Sequence, residues 1–160
     1  MLTVNLICIG KLKESYWRDA CREYSKRLSA FCHFTILELN ESRLPDKPSQ
    51  SQIDAALQTE GKKILAEISN GSAVLPLCIE GKSISSPQLA EQIEKLSING
   101  TSTINFVIGS SFGLSEQVKQ TGVFKISMSP MTFPHQLARV MLCEQIYRAF
   151  EIINHGKYHK

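Results

Sequence analysis

Apolar residues along this chain follow two patterns: short continuous runs, and longer runs that repeat every three or four residues. The first pattern predicts buried strands and the second predicts helices. Strands are predicted at 2–9, 33–39, 73–81, 103–109 and 123–129, and helices at 13–28, 51–69, 85–98, 114–120 and 134–154. This alternation predicts one α/β domain over residues 1–160, with a mostly parallel sheet flanked by helices on both faces.

Three features interrupt or complicate this regular pattern. Pro76 lies inside the third strand and predicts a bulge or an irregular edge. Gly61 lies in mid-helix, where glycine weakens helical structure. The last helix is apolar on more than one face, which fits either a central core helix or a helix that packs on its sheet and also on a second copy of the chain.

Composition narrows the choice of partners and of compartment. With 42% hydrophobic and 21% charged residues the chain is typical of a soluble globular protein, and no apolar run is long enough to span a membrane. A net charge of only +3 limits nucleic-acid binding to a local basic face or a shared dimer surface. The five cysteines form no CxxC pair, which indicates buried, reduced thiols in a cytoplasmic protein. The N-terminal apolar stretch has no basic segment before it, so it indicates a strand and not a signal peptide.

Three loops that follow predicted strands are candidates for a binding site. They begin at Leu77, at Gly109 in "GSSFGLSE", and at Ser127 in "SMSPMTFPHQ". Ligands of open parallel sheets bind beyond the carboxyl ends of the strands, so the loops form one site if their strands are neighbours. Each loop also has an ordinary explanation: a core leucine, a glycine turn, or the entry to a helix.

The chain closes on "NHGKYHK", Asn154–Lys160, where two interpretations stay open. Chain ends are often loose and polar, but this one concentrates two histidines, a tyrosine and two lysines directly after an apolar helix. Gly156 suits the C-terminal cap of that helix. Neither the histidines nor the cysteines have the spacing of a zinc site, so no metal is expected.

Two segments closely resemble one known family. "FVIGSSFGLSE", and "MTFPHQLARVMLCEQIYRAF" with the final "YHK", resemble the RlmH family of ribosomal RNA large-subunit methyltransferases, small members of the SPOUT superfamily. The likeness covers the whole chain, with Ser110 where the family usually has a second glycine. It implies an α/β fold with a C-terminal trefoil knot, a homodimer, and methylation by S-adenosylmethionine of N3 of a pseudouridine in 23S rRNA on the assembled ribosome.

The resemblance also implies roles for individual residues. The S-adenosylmethionine site would comprise Leu77, Gly109, Met128, Ser129, Pro130, Met131, Thr132 and Phe133. His159 is the candidate general base, since histidine titrates near neutral pH, and Tyr158 would stack on or orient the target base. Lys157, Lys160 and Arg139 would contact RNA, with an internal salt bridge as the alternative for Arg139. The tail would complete a site built mostly by the other subunit.

Two other function classes stay open at this point. One is a non-catalytic RNA- or ribosome-binding module that retains the fold, for which Ser110 is the hint. The other is a nucleotide-binding α/β protein unrelated to methylation. A Rossmann-type methyltransferase is disfavoured, because the first strand leads to a single glycine, Gly10, and not to a glycine-rich turn.

Overall fold

The computed structural model describes all residues from Met1 to Lys160, with five strands and five helices in alternation. The elements are β1 (Thr3–Ile9), α1 (Ser15–Leu28), β2 (His33–Leu39), α2 (Gln50–Glu67), β3 (Ala73–Ser83), α3 (Ser86–Ile98), β4 (Thr103–Ile108), α4 (Glu116–Gln120), β5 (Ile126–Ser127) and α5 (His135–Ile153). The strands form one sheet in the order β2-β1-β4-β3-β5, and every pairing is parallel. The predicted α/β class is confirmed.

Helices cover both faces of the sheet, as the continuous apolar strands predict. On β1, Leu6 and Cys8 belong to the larger core cluster under α1, α3 and α5. Ile7 and Ile9 belong to the smaller cluster under α2 and α4. Successive side chains of a strand point to opposite faces, so one short run of apolar residues supplies both cores.

The last helix, α5, packs between α1 and α3. Six of its residues are buried, the others are half-buried, and none is fully exposed. Its inner face carries Leu142 and Ile146 into the larger core. Leu137 and Met141 stay half-buried, so apolar area remains accessible on this helix.

The pairing of β3 with β5 is irregular, as Pro76 predicted, and β5 is shorter than expected. Both Leu77 and Lys82 of β3 are aligned with Ile126, so the intervening residues bulge out of the ladder. A Cβ on Gly81 would lie 2.5 Å from the Ile126 backbone carbon, which shows how closely the bulge approaches β5. The predicted fifth strand is present, but the bounds 123–129 are too wide, because the bulged partner leaves only two residues of β5 in the ladder.

Gly61 does not interrupt α2, and its neighbours explain the absence of a side chain. A Cβ there would lie 2.5 Å from Oγ of Ser115. Ser115 caps α4 by accepting a hydrogen bond from the Val118 N–H. The glycine therefore allows α4 to pack closely on α2.

All five cysteines are buried and unpaired, as expected. Burial raises the pKa of both Cys8 and Cys32 to about 12, so these thiols stay neutral at physiological pH. None of the five helices combines the length and the hydropathy that a membrane crossing requires.

Candidate functional site

The three candidate loops lie at one edge of the sheet, because β4, β3 and β5 are adjacent and parallel. Gly109 follows β4, Leu77 lies in β3 at the start of its bulge, and Met128 follows β5. This is the condition under which the sequence predicted a shared site. Leu77 is half-buried and packs against the larger core cluster.

The loop after β4 is a tight turn built around two glycines. The Gly113 N–H donates to the Ser110 carbonyl at 2.9 Å, and Gly113 has a φ of +87°. A Cβ on Gly109 would lie 2.2 Å from the Gly113 carbonyl oxygen, so this position has no room for a side chain. Ser110 is buried and does not adopt a positive φ, so serine fits there without backbone strain.

The loop between β5 and α5 is held in shape by Ser129. Its hydroxyl accepts a hydrogen bond from the Met131 N–H at 3.0 Å, and its carbonyl accepts one from the Ser127 hydroxyl at 3.3 Å. Met128 packs partly against the core, and Phe133 is half-buried. Pro130, Met131 and Thr132 are exposed, so the middle of this loop is free to contact a ligand.

Each of the three loops presents one large apolar side chain to solvent. Ile79 of the β3 bulge is 93% exposed, Phe112 of the turn is 46% exposed, and Met131 is 73% exposed. Exposed apolar side chains gathered at one edge indicate a binding surface for a partly apolar ligand or for another chain. These side chains share one edge because the strands that precede their loops are adjacent.

Arg139 forms an internal salt bridge, the alternative to its predicted contact with RNA. Its side chain is only 2% exposed, NH1 lies 2.6 Å from Glu38 Oε2, and NH2 donates to the Gly10 carbonyl at 3.0 Å. A guanidinium that is buried and paired in this way has no free face for a phosphate. Arg139 instead ties the start of α5 to the ends of β1 and β2.

The C-terminal tail folds back onto α5 and does not fray. The Tyr158 hydroxyl donates to Glu144 Oε1 at 3.0 Å, and its ring packs edge-on against Tyr147 with centroids 4.9 Å apart. The Arg148 guanidinium lies 4.6 Å from the centroid of the Tyr158 ring, and its NH1 is 3.3 Å from His159 Nδ1. Burial, and then the hydrogen bond to Glu144, raise the pKa of Tyr158 to about 12.

Lys157 and Lys160, the two lysines of the tail, are exposed, and no carboxylate lies within ion-pair distance of either. The docked tail therefore presents two unpaired cations beside its half-buried tyrosine and histidine. Unpaired exposed cations are the groups that contact phosphates in nucleic-acid complexes.

The cap of α5 differs from the prediction, since His155 and not Gly156 takes the left-handed position, with a φ of 56°. The Gly156 N–H donates to the Glu151 carbonyl and the His155 N–H to the Ile152 carbonyl, which is the Schellman arrangement. Gly156 leaves room for the Glu151 carboxylate, which would have to move if this position carried a Cβ.

Glu144 and Arg148 are the site residues that the sequence reasoning missed. They form an ion pair one helical turn apart on α5 and together hold the tail. The acidic residue four positions before the arginine was a visible signal for the pair itself. Nothing in the sequence indicated that the tail returns to it.

Two cavities lie beside α2. One of about 290 Å³ lies between residues 42–45 and α2, and one of about 360 Å³ lies between α2 and the start of α4. None of the predicted cofactor residues lines either cavity.

Comparison with known proteins gives consistent relationships. A family model described as "Predicted SPOUT methyltransferase" matches residues 2–159. The "Ribosomal RNA large subunit methyltransferase H" of Oenococcus oeni is 48% identical over the full length of both chains. Its counterpart from Streptococcus pneumoniae is 44% identical over 99% of this chain and all of that protein. The structure of a probable methylase family protein from Haemophilus influenzae aligns with 98% of this chain and 70% of that one, with a TM-score of 0.54 and 14% identity, which supports the fold alone.

Proposed function

Because this chain belongs to the SPOUT methyltransferase family, we propose that it methylates N3 of a pseudouridine in 23S rRNA of the assembled ribosome. The methyl donor is S-adenosylmethionine, and the compartment is the cytoplasm. The observation that carries the proposal is the meeting of three loops at the ends of β4, β3 and β5. Full-length similarity to proteins named ribosomal RNA large subunit methyltransferase H supports the substrate class.

The residues at this edge suit the proposed cofactor. The exposed residues of the turn after Gly109 and of the loop Met128–Phe133 can bring their backbone groups to a ligand's polar atoms. Leu77, Met131 and the exposed Phe112 offer apolar contact for a flat heterocycle. When bound, S-adenosylmethionine supplies an electrophilic methyl group on a sulfonium. The protein's part is to hold that methyl in line with the nucleophile, which supplies roughly 7–11 kcal/mol of barrier reduction in favourable cases.

The tail provides groups suited to RNA. Lys157 and Lys160 are exposed and unpaired, so they are available to phosphates. Tyr158 and His159 are half-buried side chains held beside them. We assign Tyr158 and His159 to the target base and the two lysines to the RNA backbone. With a net charge of only +3, the protein has few other means of contact, and the shape of the ribosome supplies specificity.

The geometry of α5 supports a homodimer with shared sites. The cofactor loop precedes α5, whereas the tail docks at Glu144 and Arg148. At 1.5 Å per residue these positions lie about 14–20 Å along the helix from His135. This separation favours contact of the docked tail with the cofactor site of a second copy over contact with that of its own chain.

The accessible surface gives independent support for a dimer. The protomer exposes 9153 Å². A monomeric protein of 17.9 kDa is expected to expose about 8,000 Å². The excess, about 1,100 Å², is comparable with the ~800 Å² that each partner buries in an ordinary interface. The family's C-terminal trefoil knot remains a prediction within this proposal.

The direct test is methyl transfer from labelled S-adenosylmethionine to assembled ribosomes, separate subunits and naked rRNA, all lacking the modification. We expect incorporation only into assembled ribosomes, at N3 of one pseudouridine of 23S rRNA, located by nuclease mapping and mass spectrometry. Absence of incorporation into any of the three would refute the enzymatic proposal and leave the non-catalytic binding module. Incorporation at a different atom would refute the assigned specificity.

Shared sites are tested by mixing two inactive variants. One carries Gly109→Val, with an intact tail, and the other lacks Tyr158–Lys160, with intact loops. A mixed dimer contains one site with an unmodified loop and an unmodified tail, so mixing should restore activity that neither variant shows alone. A mixture as inactive as its components, in which mass spectrometry shows that mixed dimers have formed, would mean that loop and tail act within one chain.

A further inference from the structure

The contact between Arg148 and His159 determines which imidazole nitrogen carries the proton. Arg148 NH1 lies 3.3 Å from His159 Nδ1. A guanidinium has five N–H donors, no acceptor, and does not lose its proton in proteins. Nδ1 must therefore accept the hydrogen bond, and the proton of the neutral ring lies on Nε2.

Arg148 is itself held from several directions. Its Nε donates to Glu144 Oε1 at 3.0 Å, and NH2 pairs with the same carboxylate. Its guanidinium lies over the Tyr158 ring, and Tyr158 in turn donates to Glu144 at 3.0 Å. A guanidinium held by the Glu144 carboxylate and covered by the Tyr158 ring has little freedom to turn away from His159.

We propose that Arg148 is a positioning residue that holds His159 in the Nε2–H tautomer, so that His159 donates a hydrogen bond to a carbonyl oxygen of the target base. This inference rests on the proposed function and replaces the general-base role expected for His159. In this tautomer Nε2 already carries a proton, and the Nδ1 lone pair is engaged by Arg148. Neither nitrogen is available to take a proton from N3.

The chemistry of the target base suits a donor. N3 of pseudouridine lies between two carbonyl groups, so loss of its proton spreads negative charge over N3 and both oxygens. The proton leaves to water before methyl transfer, and a hydrogen bond from Nε2–H stabilises the charge on one oxygen. The N3 lone pair then forms the bond to the methyl carbon as the carbon–sulfur bond breaks, and that electron pair stays on sulfur.

The groups that face His159 also fit this role. On α5 they are the cation Arg148 and the carboxylate Glu144, which is already engaged by Arg148 and Tyr158. On α1, Tyr24 faces Tyr158 and Arg27 lies over the Tyr24 ring. The tail adds the exposed Lys157 and Lys160. The pKa of Tyr158 is raised to about 12, so its phenol is neutral and not a competing base.

The tautomer is measured directly by ¹⁵N NMR of the imidazoles in the free protein, with the His159 signals assigned by their loss in His159→Gln. We expect a protonated Nε2 and an unprotonated Nδ1 at neutral pH, and a mixture of tautomers in Arg148→Met. A dominant Nδ1–H tautomer in an active protein would overturn the inference alone. If the protein without substitutions transfers no methyl group, the proposed function is overturned and, with it, the role of His159.

Single-turnover rates on ribosomes test the role in the reaction. His159→Gln keeps an N–H donor near Nε2 and cannot act as a base, so it should retain most of the rate, whereas His159→Ala should lose about 10²-fold. Arg148→Lys keeps a donor to Nδ1, so its single-turnover rate should be higher than that of Arg148→Met, with the same S-adenosylmethionine affinity in both. His155→Asn, outside the cluster and compatible with the left-handed cap, is the control and should not change the rate.

The pH dependence of the single-turnover rate distinguishes a hydrogen-bond donor from a general base at His159 without any substitution. If the N3 proton leaves to water, the single-turnover rate keeps rising with pH above about pH 7, because the N3 anion becomes more abundant. A general base would instead make the rate level off above that pH. A plateau there, or equal losses in His159→Gln and His159→Ala, would overturn the inference.

Discussion

The turn after β4 gives the sharpest test of the cofactor site. In Gly109→Ala the new Cβ would lie 2.2 Å from the Gly113 carbonyl oxygen and 2.6 Å from its carbonyl carbon. These atoms belong to the backbone, so no side chain can rotate to relieve the overlap. The turn must move by roughly 1 Å, and overpacking of this kind typically costs about 1–3 kcal/mol.

The expected loss of cofactor affinity depends on whether this cost falls on the closed form of the turn. Relief requires the turn to open and weakens the hydrogen bond from the Gly113 N–H to the Ser110 carbonyl. If S-adenosylmethionine binds only the closed turn, it must overcome about 1–3 kcal/mol, and its affinity falls about 5- to 150-fold. A change of this size is easily resolved.

Isothermal titration calorimetry with S-adenosylmethionine measures the affinity, and circular dichroism with thermal unfolding confirms that the variant is folded. Ser111→Ala is the matched control, because Ser111 is exposed in the same turn and its removal creates no overlap. The control should bind as the unmodified protein does. If folded Gly109→Ala also binds with unchanged affinity, the turn after β4 is not part of the cofactor site.

Three further predictions concern the tail and the ion pair between the buried Arg139 and the partly exposed Glu38. His155→Gly should raise the free energy of unfolding by about 1 kcal/mol, measured by chemical denaturation at fixed protein concentration, because it relieves a left-handed non-glycine residue; no gain would mean that the cap is not strained. Glu38→Gln should lower that free energy by about 1.5–3 kcal/mol, because it leaves the buried Arg139 guanidinium without a charged acceptor, whereas the exposed Glu41→Gln should have little effect. Since the pKa of Tyr158 is raised from 10.0 to about 12 in the folded protein, the docked tail should be fully stable below pH 10 and lose stability as the pH rises from 10 to 12. Ultraviolet titration of tyrosinate, compared with Tyr158→Phe, checks this window, and ionisation of Tyr158 at its ordinary value would contradict it.

The sequence predicted the elements well because their signals are local. Apolar runs, helical spacing and turn residues located all five strands and all five helices. The boundaries failed where a distant segment decides them. β5 is short because the bulge in β3 limits its pairing, and the bulge depends on the close approach of Gly81 to Ile126.

The site was predictable only in part for the same reason. Leu77, Gly109 and Met128 could be selected as loop positions after strands, but their adjacency depends on the strand order, which one sequence does not reveal. The partner of Arg139 is Glu38, 101 positions away, so the internal salt bridge remained one of two alternatives. The ion pair of Glu144 and Arg148 is local, whereas its contact with the tail depends on the turn at His155.

The length of α5 supports the proposal that the tail acts across a dimer and not within its own chain. With 19 residues, α5 is about 28 Å long. The backbone from Ile153 to His159 crosses six residue steps and reaches at most about 22 Å when fully extended. Such extension would break the cap at His155 and the contacts of Tyr158 with Glu144 and Tyr147. Within one chain, the tail backbone falls short of the loop that precedes α5 even after losing every contact that holds it. A second copy requires none of these losses, because the docked tail already presents His159 and the two lysines on the side of α5, where a partner's strand ends can meet them.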